Sequence, residues 1–162
     1  MKKSICIVTI CMLLFAACDK VAKTNAPTPT TDTTQKSGVS TAKDLSFLLG
    51  LNAKYPSNIK LFEADNVLSL RVKKLLGDAE YADFQQRMVV QMPITVADKT
   101  VFMSACMPHS CTFEEAAIAI DIATDKIWVC LLKDGKISTK TDGDMATAPL
   151  LFTNYIKENT KK

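Results

Sequence analysis

The sequence predicts an α+β domain: helices first, then about five meandering strands of one antiparallel sheet, then a single C-terminal helix. Two observations carry this. Apolar residues recur at helical spacing between residues 65 and 87, and then switch to period-two or continuous apolar runs after Met88. The runs after Met88 are separated by short turn signals rather than by helical crossovers, so neighbouring strands are expected to be antiparallel.

Taken in order, residues 44–63 read as irregular chain with short helical pieces. Pro56 marks a turn by pushing Tyr55 out of the helical region. Asp65 is a candidate cap for a helix running to Leu76, with Val67, Leu68, Leu70, Val72, Leu75 and Leu76 as its apolar positions. Gly77 ends that helix. Asp78 is a candidate cap for a second helix near Ala79–Arg87, with Tyr81 and Phe84 on one side.

The first strand is expected over Val89–Val96, with Pro93 marking an edge or bulge. After an Asp98-Lys99 turn, Val101–Ala105 leads straight into Cys106. In Ala116–Ile122 the isoleucines 118, 120 and 122 face one way, while Ala117 and Ala119 face the other and leave room for close packing. A turn over Ala123–Lys126 leads to Ile127–Leu132, which is apolar on both faces as a covered central strand should be. Asp134-Gly135 is a hairpin turn signal leading to Ile137–Thr141. Residues 142–147 form a polar loop. A last helix is expected near Pro149–Glu158, with Pro149 suited to its first turn. There is no internal repeat.

The N-terminus has a different composition. Lys2 and Lys3 precede an apolar run from Ile5 to Phe15, broken only by Thr9, and then come Ala16, Ala17 and Cys18. A charged start, a short apolar core and small residues at the cut describe a secretory signal over residues 1–17. The run is shorter than the about 20 residues that a membrane-spanning helix needs. Leu14-Phe15-Ala16-Ala17-Cys18 resembles a bacterial lipobox, with Phe15 where Leu is usual. The resemblance implies cleavage before Cys18, lipidation of Cys18 (diacylglycerol and an acyl chain such as palmitate), and anchorage to a membrane of the cell envelope, facing the periplasm. Several chains are what stable attachment requires. Asp19 resembles an inner-membrane retention signal, and either membrane remains open. Residues 19–43 are rich in Thr, Pro, Ser and Lys and hold no aromatic residue, so residues 18–43 read as a lipidated cysteine and disordered tether. Residues 44–162 suit one domain with a single core.

Charge and cysteine content narrow the function classes. The formal charge of +3 comes from the N-terminal residues 1–43. Without Lys2, Lys3, Lys20, Lys23, Lys36, Lys43, Asp19 and Asp32, the domain carries 14 basic and 15 acidic residues, a net of −1. No basic stripe with interleaved aromatics is present, which argues against nucleic acid as a partner. Cys6 and Cys11 leave with the signal and Cys18 is the lipidation site. Cys106, Cys111 and Cys130 then remain in an oxidising compartment, so at most one internal bridge forms. Cys130, in a core strand, reads as a buried free thiol.

The informative segment is Cys106-Met107-Pro108-His109-Ser110-Cys111, which joins two predicted strands and holds the only histidine of the chain. A Cys106–Cys111 bridge would close a six-residue loop, contribute roughly 2 kcal/mol by chain entropy, and present His109 at its tip. Pro108 would fix one more backbone angle. The plainest reading is a structural disulfide in an ordinary hairpin loop, and other chemistries remain open for these residues. A zinc site would use Cys106, His109 and Cys111, but the spacing is not that of a finger and a fourth ligand is missing nearby. A thiol catalyst would pair a cysteine with His109, and oxidation of the loop would silence it. The segment is not a Cys-x-x-Cys redox motif.

Cys-x-Pro-His-x-Cys between two strands resembles the loop of the inhibitor of vertebrate lysozyme (Ivy) family. The flanks are similar to it as well. YPSNIKLFEADNVLSLRVKKLLGDAEYADF looks like its helical lead-in, and VVQMPITVADKTVFMSACMPHSC followed by EEAAIAIDIATDKIWVCLLKDGKI looks like its sheet. The resemblance covers about residues 48–156. It implies a proteinaceous inhibitor of c-type lysozyme, with no catalytic residue, cofactor or metal. A disulfide-closed loop, Cys106 to Cys111, would enter the enzyme cleft, and His109 would hydrogen-bond the catalytic carboxylates. It also implies that a homodimer is possible. The family usually has Lys before the Pro and Asp after the His; here Met107 and Ser110 stand there. Met107 offers apolar packing in place of a charge, and Ser110 removes a carboxylate that would orient His109. The alternative function on the same scaffold is a non-inhibitory binding or assembly lipoprotein of the envelope.

Overall fold

A computed structural model describes residues 44–161. The expected signal, lipidation site at Cys18 and tether lie outside the described residues.

The chain enters through two short 3-10 turns, Ser46–Leu51 and Pro56–Ile59. Helix α1 follows over Val67–Arg87. Its cap is Asn66, not Asp65: the Asn66 side chain accepts from the Leu68 amide at 2.9 Å. Both residue types cap helices, and a one-residue shift in where the backbone turns decides between them. The expected break at Gly77 is present as a kink, with φ 78° and ψ 170°, a region that essentially only glycine adopts. The two halves are tied across the kink by a hydrogen bond between the Ser69 and Tyr81 hydroxyls. Asp78, expected as a cap, pairs its carboxylate with Lys73 at 3.1 Å instead. Leu70, expected on the apolar face, is 53% exposed, whereas Leu68, Val72, Leu76, Tyr81 and Phe84 are buried.

Six strands form one antiparallel sheet: β1 Val90–Gln91, β2 Thr95–Ala97, β3 Thr100–Cys106, β4 Glu114–Asp121, β5 Lys126–Lys133 and β6 Lys136–Thr141. The order is β1-β3-β4-β5-β6, with β2 also pairing with β3. The sixth strand arises because the expected first strand is split in two. Pro93 has no amide to donate to the ladder. Beside it Ile94 turns into the core, donating to the Lys54 carbonyl and accepting from the Ala53 amide, each at 2.8 Å. The β5–β6 hairpin turns on Asp134 and Gly135, both at positive φ (50° and 73°), as a two-residue primed turn requires.

The central strands are covered on both faces. On one, Met103, Ile118, Ile120, Ile127 and Val129 form a core with α1 and the N-terminal turns. On the other, Ala117, Ala119, Trp128 and Cys130 pack with Phe152 of helix α2, Leu150–Asn159. In the β4–β5 register Ala117 lies opposite Cys130 and Ala119 opposite Trp128, so small side chains make the space that the indole fills. Cys130 is a buried free thiol. The polar loop after β6 contains a 3-10 turn, Met145–Thr147, and is tied to the core by the Trp128 indole N–H donating to the Asp144 carbonyl at 3.1 Å. Pro149 takes the N-cap position of α2 rather than its first turn.

Candidate functional site

Strands β3 and β4 pair in continuous register from Thr100↔Asp121 to Cys106↔Glu115. The connection between them is therefore held at the end of a long, well-buried ladder of the sheet. Cys106, the last residue of β3, is bridged to Cys111, their Cα atoms 4.9 Å apart. With the pair oxidised, thiol catalysis at these two residues is closed. Among the described residues, no group of three or more His, Cys, Asp or Glu side chains is placed to hold a metal ion.

Backbone hydrogen bonds give the loop a shape of its own beyond the bridge. The Met107 amide donates to the Glu114 carbonyl at 2.9 Å, and the Ser110 amide donates to the Met107 carbonyl at 3.1 Å. The Ser110 carbonyl in turn accepts from the Phe113 amide at 3.1 Å and the Glu114 amide at 3.0 Å. Ser110 is thus the hub of two successive turns. Its backbone carries this work.

Pro108 and His109 form the exposed turn, and Met107 is half-buried at its foot. His109 sits at φ 64° and Thr112 at φ 131°. A histidine tolerates the left-handed region better than most residues, whereas a β-branched threonine at positive φ is an outlier. Such conformations persist only where the surroundings over-determine them, and here the bridge and four backbone hydrogen bonds do so. The loop brings together all six residues singled out from the sequence, Cys106 to Cys111, with His109 exposed at its turn. Cys130 lies apart from them, in the core.

Three residues at this site have no signal in the sequence. Phe113, directly after the loop, is 63% exposed. Glu114 and Arg87 meet beneath the loop. Arg87, at the end of α1, is 2% exposed. Its guanidinium donates to the Asp83 carbonyl at 2.7 Å, to the Leu132 carbonyl at 3.1 Å and to the Glu114 carboxylate. The other Glu114 oxygen accepts from the Asp134 amide at 3.1 Å. The partners lie 27 residues apart in the chain, so no local pattern links them.

Elsewhere, a groove of about 470 Å³ runs beside α1, lined by Val67, Leu70, Arg71, Lys74 and Leu75 with Asp125 and Asp142. Arg71 is fully engaged there, pairing with Asp125 and with Asp142 at 2.8 Å. Desolvation lowers its proton affinity, but the two carboxylates outweigh that and raise it above its ordinary value.

The loop is thus closed by a disulfide and by its own backbone hydrogen bonds, with its turn exposed at the end of the β3–β4 ladder. The family model described as Inhibitor of vertebrate lysozyme (Ivy) matches residues 67–161, more than half of the chain, and the chain belongs to this family of lysozyme inhibitors. No curated protein and no solved structure matches it.

Proposed function

We propose that this protein is an envelope-anchored inhibitor of c-type lysozyme that inserts the Cys106–Cys111 loop, His109 foremost, into the active-site cleft of the enzyme. The observation that carries the reading is the exposed His109 on a loop held by a disulfide and four backbone hydrogen bonds. A loop ordered before binding loses little entropy on binding. An imidazole can donate to a carboxylate, and a lysozyme cleft works by paired carboxylates. Met107 and Pro108 supply apolar contact on one side of the histidine, and Ser110 keeps the turn. Inhibition of this kind needs no cofactor and no chemistry by the inhibitor.

In this reading Cys18 is lipidated after removal of residues 1–17, and residues 19–43 let the domain stand off the membrane towards the wall. The inhibitor would then meet an incoming lysozyme where the enzyme attacks. Labelling the protein with a radioactive fatty acid in its bacterial host tests the anchor. Label retained after Cys18→Ala would overturn lipidation at that residue. The inhibitory reading is tested by titrating the purified protein against a panel of c-type lysozymes, with and without reductant. Inhibition that weakens on reduction is expected; full activity of every lysozyme at saturating folded protein would overturn it and leave the non-inhibitory envelope lipoprotein.

A further inference from the structure

We propose that Arg87 and Glu114 are positioning residues for the inhibitory loop, a second clamp that sets its angle on the sheet independently of the disulfide. The inference rests on the reading of that loop as the inhibitory element.

The disulfide joins the two ends of the loop to each other and the ladder pair Cys106↔Glu115 fixes its foot on the sheet, but neither sets the tilt of the closed ring. Orientation comes from Glu114, the first residue of β4. Its main chain closes the loop twice, accepting from the Met107 amide at 2.9 Å and donating to the Ser110 carbonyl at 3.0 Å. Its side chain is fixed from below on both oxygens. One meets the buried Arg87 guanidinium, and the other accepts from the Asp134 amide at 3.1 Å.

Arg87 is itself immobilised by the Asp83 carbonyl of its own helix and the Leu132 carbonyl of β5. Glu114 therefore links three separate elements to the loop: the end of α1, strand β5 and the β5–β6 turn. An arginine suits this place because its planar fork bonds several oxygens at once. A buried ion pair is weak evidence for a gain in stability; its better use is to fix one geometry among several. The geometry it fixes here is the direction in which His109 is presented. A small tilt at the loop base becomes a displacement at its tip, and misplacement of about 1 Å is costly for groups that must meet reactive atoms.

The test compares the wild-type protein with Glu114→Gln and Arg87→Met. Glu114→Gln keeps the shape and an acceptor for Asp134 while removing the charge that Arg87 holds. It therefore decides the matter should Arg87→Met fail to fold. Two readouts are taken: amide hydrogen exchange, residue by residue, and inhibition of a lysozyme that the wild-type protein inhibits.

Expected in Glu114→Gln is at least tenfold faster exchange at the Met107, Ser110 and Glu114 amides, with Ile118 and Val129 unchanged, and at least fivefold weaker inhibition. Unchanged exchange at the loop base, faster exchange spread evenly through the sheet, or unaltered inhibition would each overturn the positioning role. Should the wild-type protein inhibit no lysozyme, the functional reading fails by itself and exchange at the loop base alone decides the clamp.

Discussion

The Tyr155 hydroxyl donates to the Glu115 carboxylate at 2.7 Å, tying α2 to the strand that leaves the loop. This contact lies on the face of the sheet opposite α1, where Trp128, Cys130 and Phe152 form the smaller core. Burial raises the Tyr155 phenol well above its ordinary range, and the hydrogen bond to Glu115 and its charge add to the shift. Tyr155→Phe would remove the donor while keeping the ring against Phe102, whose centroid lies 5.7 Å away. A hydrogen bond to a charged acceptor contributes about 1.5–3 kcal/mol. The variant is expected to melt about 5–10 °C lower with its Trp128 emission unchanged in the folded state. A melting temperature within about 1 °C of wild type would show that α2 docks without this contact.

The same core predicts an alkaline limit. Desolvation, with a contribution from the Glu115 charge, pushes the Cys130 thiol from an ordinary value of 9.0 up to about 12. The folded state thus holds its proton more tightly than the unfolded chain. Stability from this source is complete below pH 9 and is lost as the pH rises from 9 towards 12, at a slope of about 1.4 kcal/mol per pH unit at most. Urea melts across pH 7–11 should show falling stability above pH 9, with a shallower fall in Cys130→Ala. An equal slope in that variant would mean that the thiol does not titrate on unfolding.

What the sequence reveals of this fold is what depends on neighbours in the chain. Ile118 and Ile120 against Ala117 and Ala119 state both faces of β4, because side chains alternate strictly along a strand. Gly77 marks the helix break, and Asp134-Gly135 the hairpin, because each needs a backbone angle few residues adopt. The loop from Cys106 to Cys111 is contiguous, so its residues could be singled out together. The contacts that support it could not. Arg87 meets Glu114 across 27 residues and Tyr155 meets Glu115 across 40, and both Glu114 and Glu115 lie before Ala116, where the sequence pattern begins the strand. The split of the first strand at Pro93 depends on Lys54 and Ala53 being at hand to bond Ile94, which is again tertiary. Asn66 and Asp65 are both good caps and adjacent, and only the path of the chain separates them.

Gly77 leads to a prediction about stability alone. At φ 78° and ψ 170° it has no neighbour within 4 Å of the place a Cβ would take. Crowding is therefore not the obstacle; the backbone angle is. Gly77→Ala is expected to cost about 1–3 kcal/mol, seen as a thermal midpoint lower by about 4–10 °C. The loop lies at the far end of α1, so lysozyme inhibition below the transition should stay within about twofold of wild type, as expected for well-separated sites. A variant as stable as wild type would mean that the kink straightens freely, with the Ser69–Tyr81 hydrogen bond giving way.

His109 permits a sharper separation of contact from conformation. Its side chain is exposed, so replacing it should alter stability by about 0.5 kcal/mol or less apart from any backbone strain. That strain matters, because His109 sits at φ 64°. Alanine accepts this region poorly, whereas asparagine visits it readily. His109→Ala therefore removes the imidazole and strains the turn, while His109→Asn removes the imidazole and leaves the turn at ease. If the ring makes the contact, both variants should weaken lysozyme inhibition by at least tenfold, and to a similar extent. If the loop inhibits by shape alone, His109→Asn should inhibit like wild type and only His109→Ala should lose potency. Reduction of the Cys106–Cys111 bridge supplies the third arm. It removes roughly 2 kcal/mol of loop-closure constraint but leaves the backbone bonds among Met107, Ser110 and Glu114 in place. Reduced wild-type protein should thus inhibit more weakly than oxidised protein yet better than oxidised His109→Ala. The reverse order, with reduction costing more than loss of the imidazole, would mean that potency depends chiefly on closure of the ring and only secondarily on the histidine.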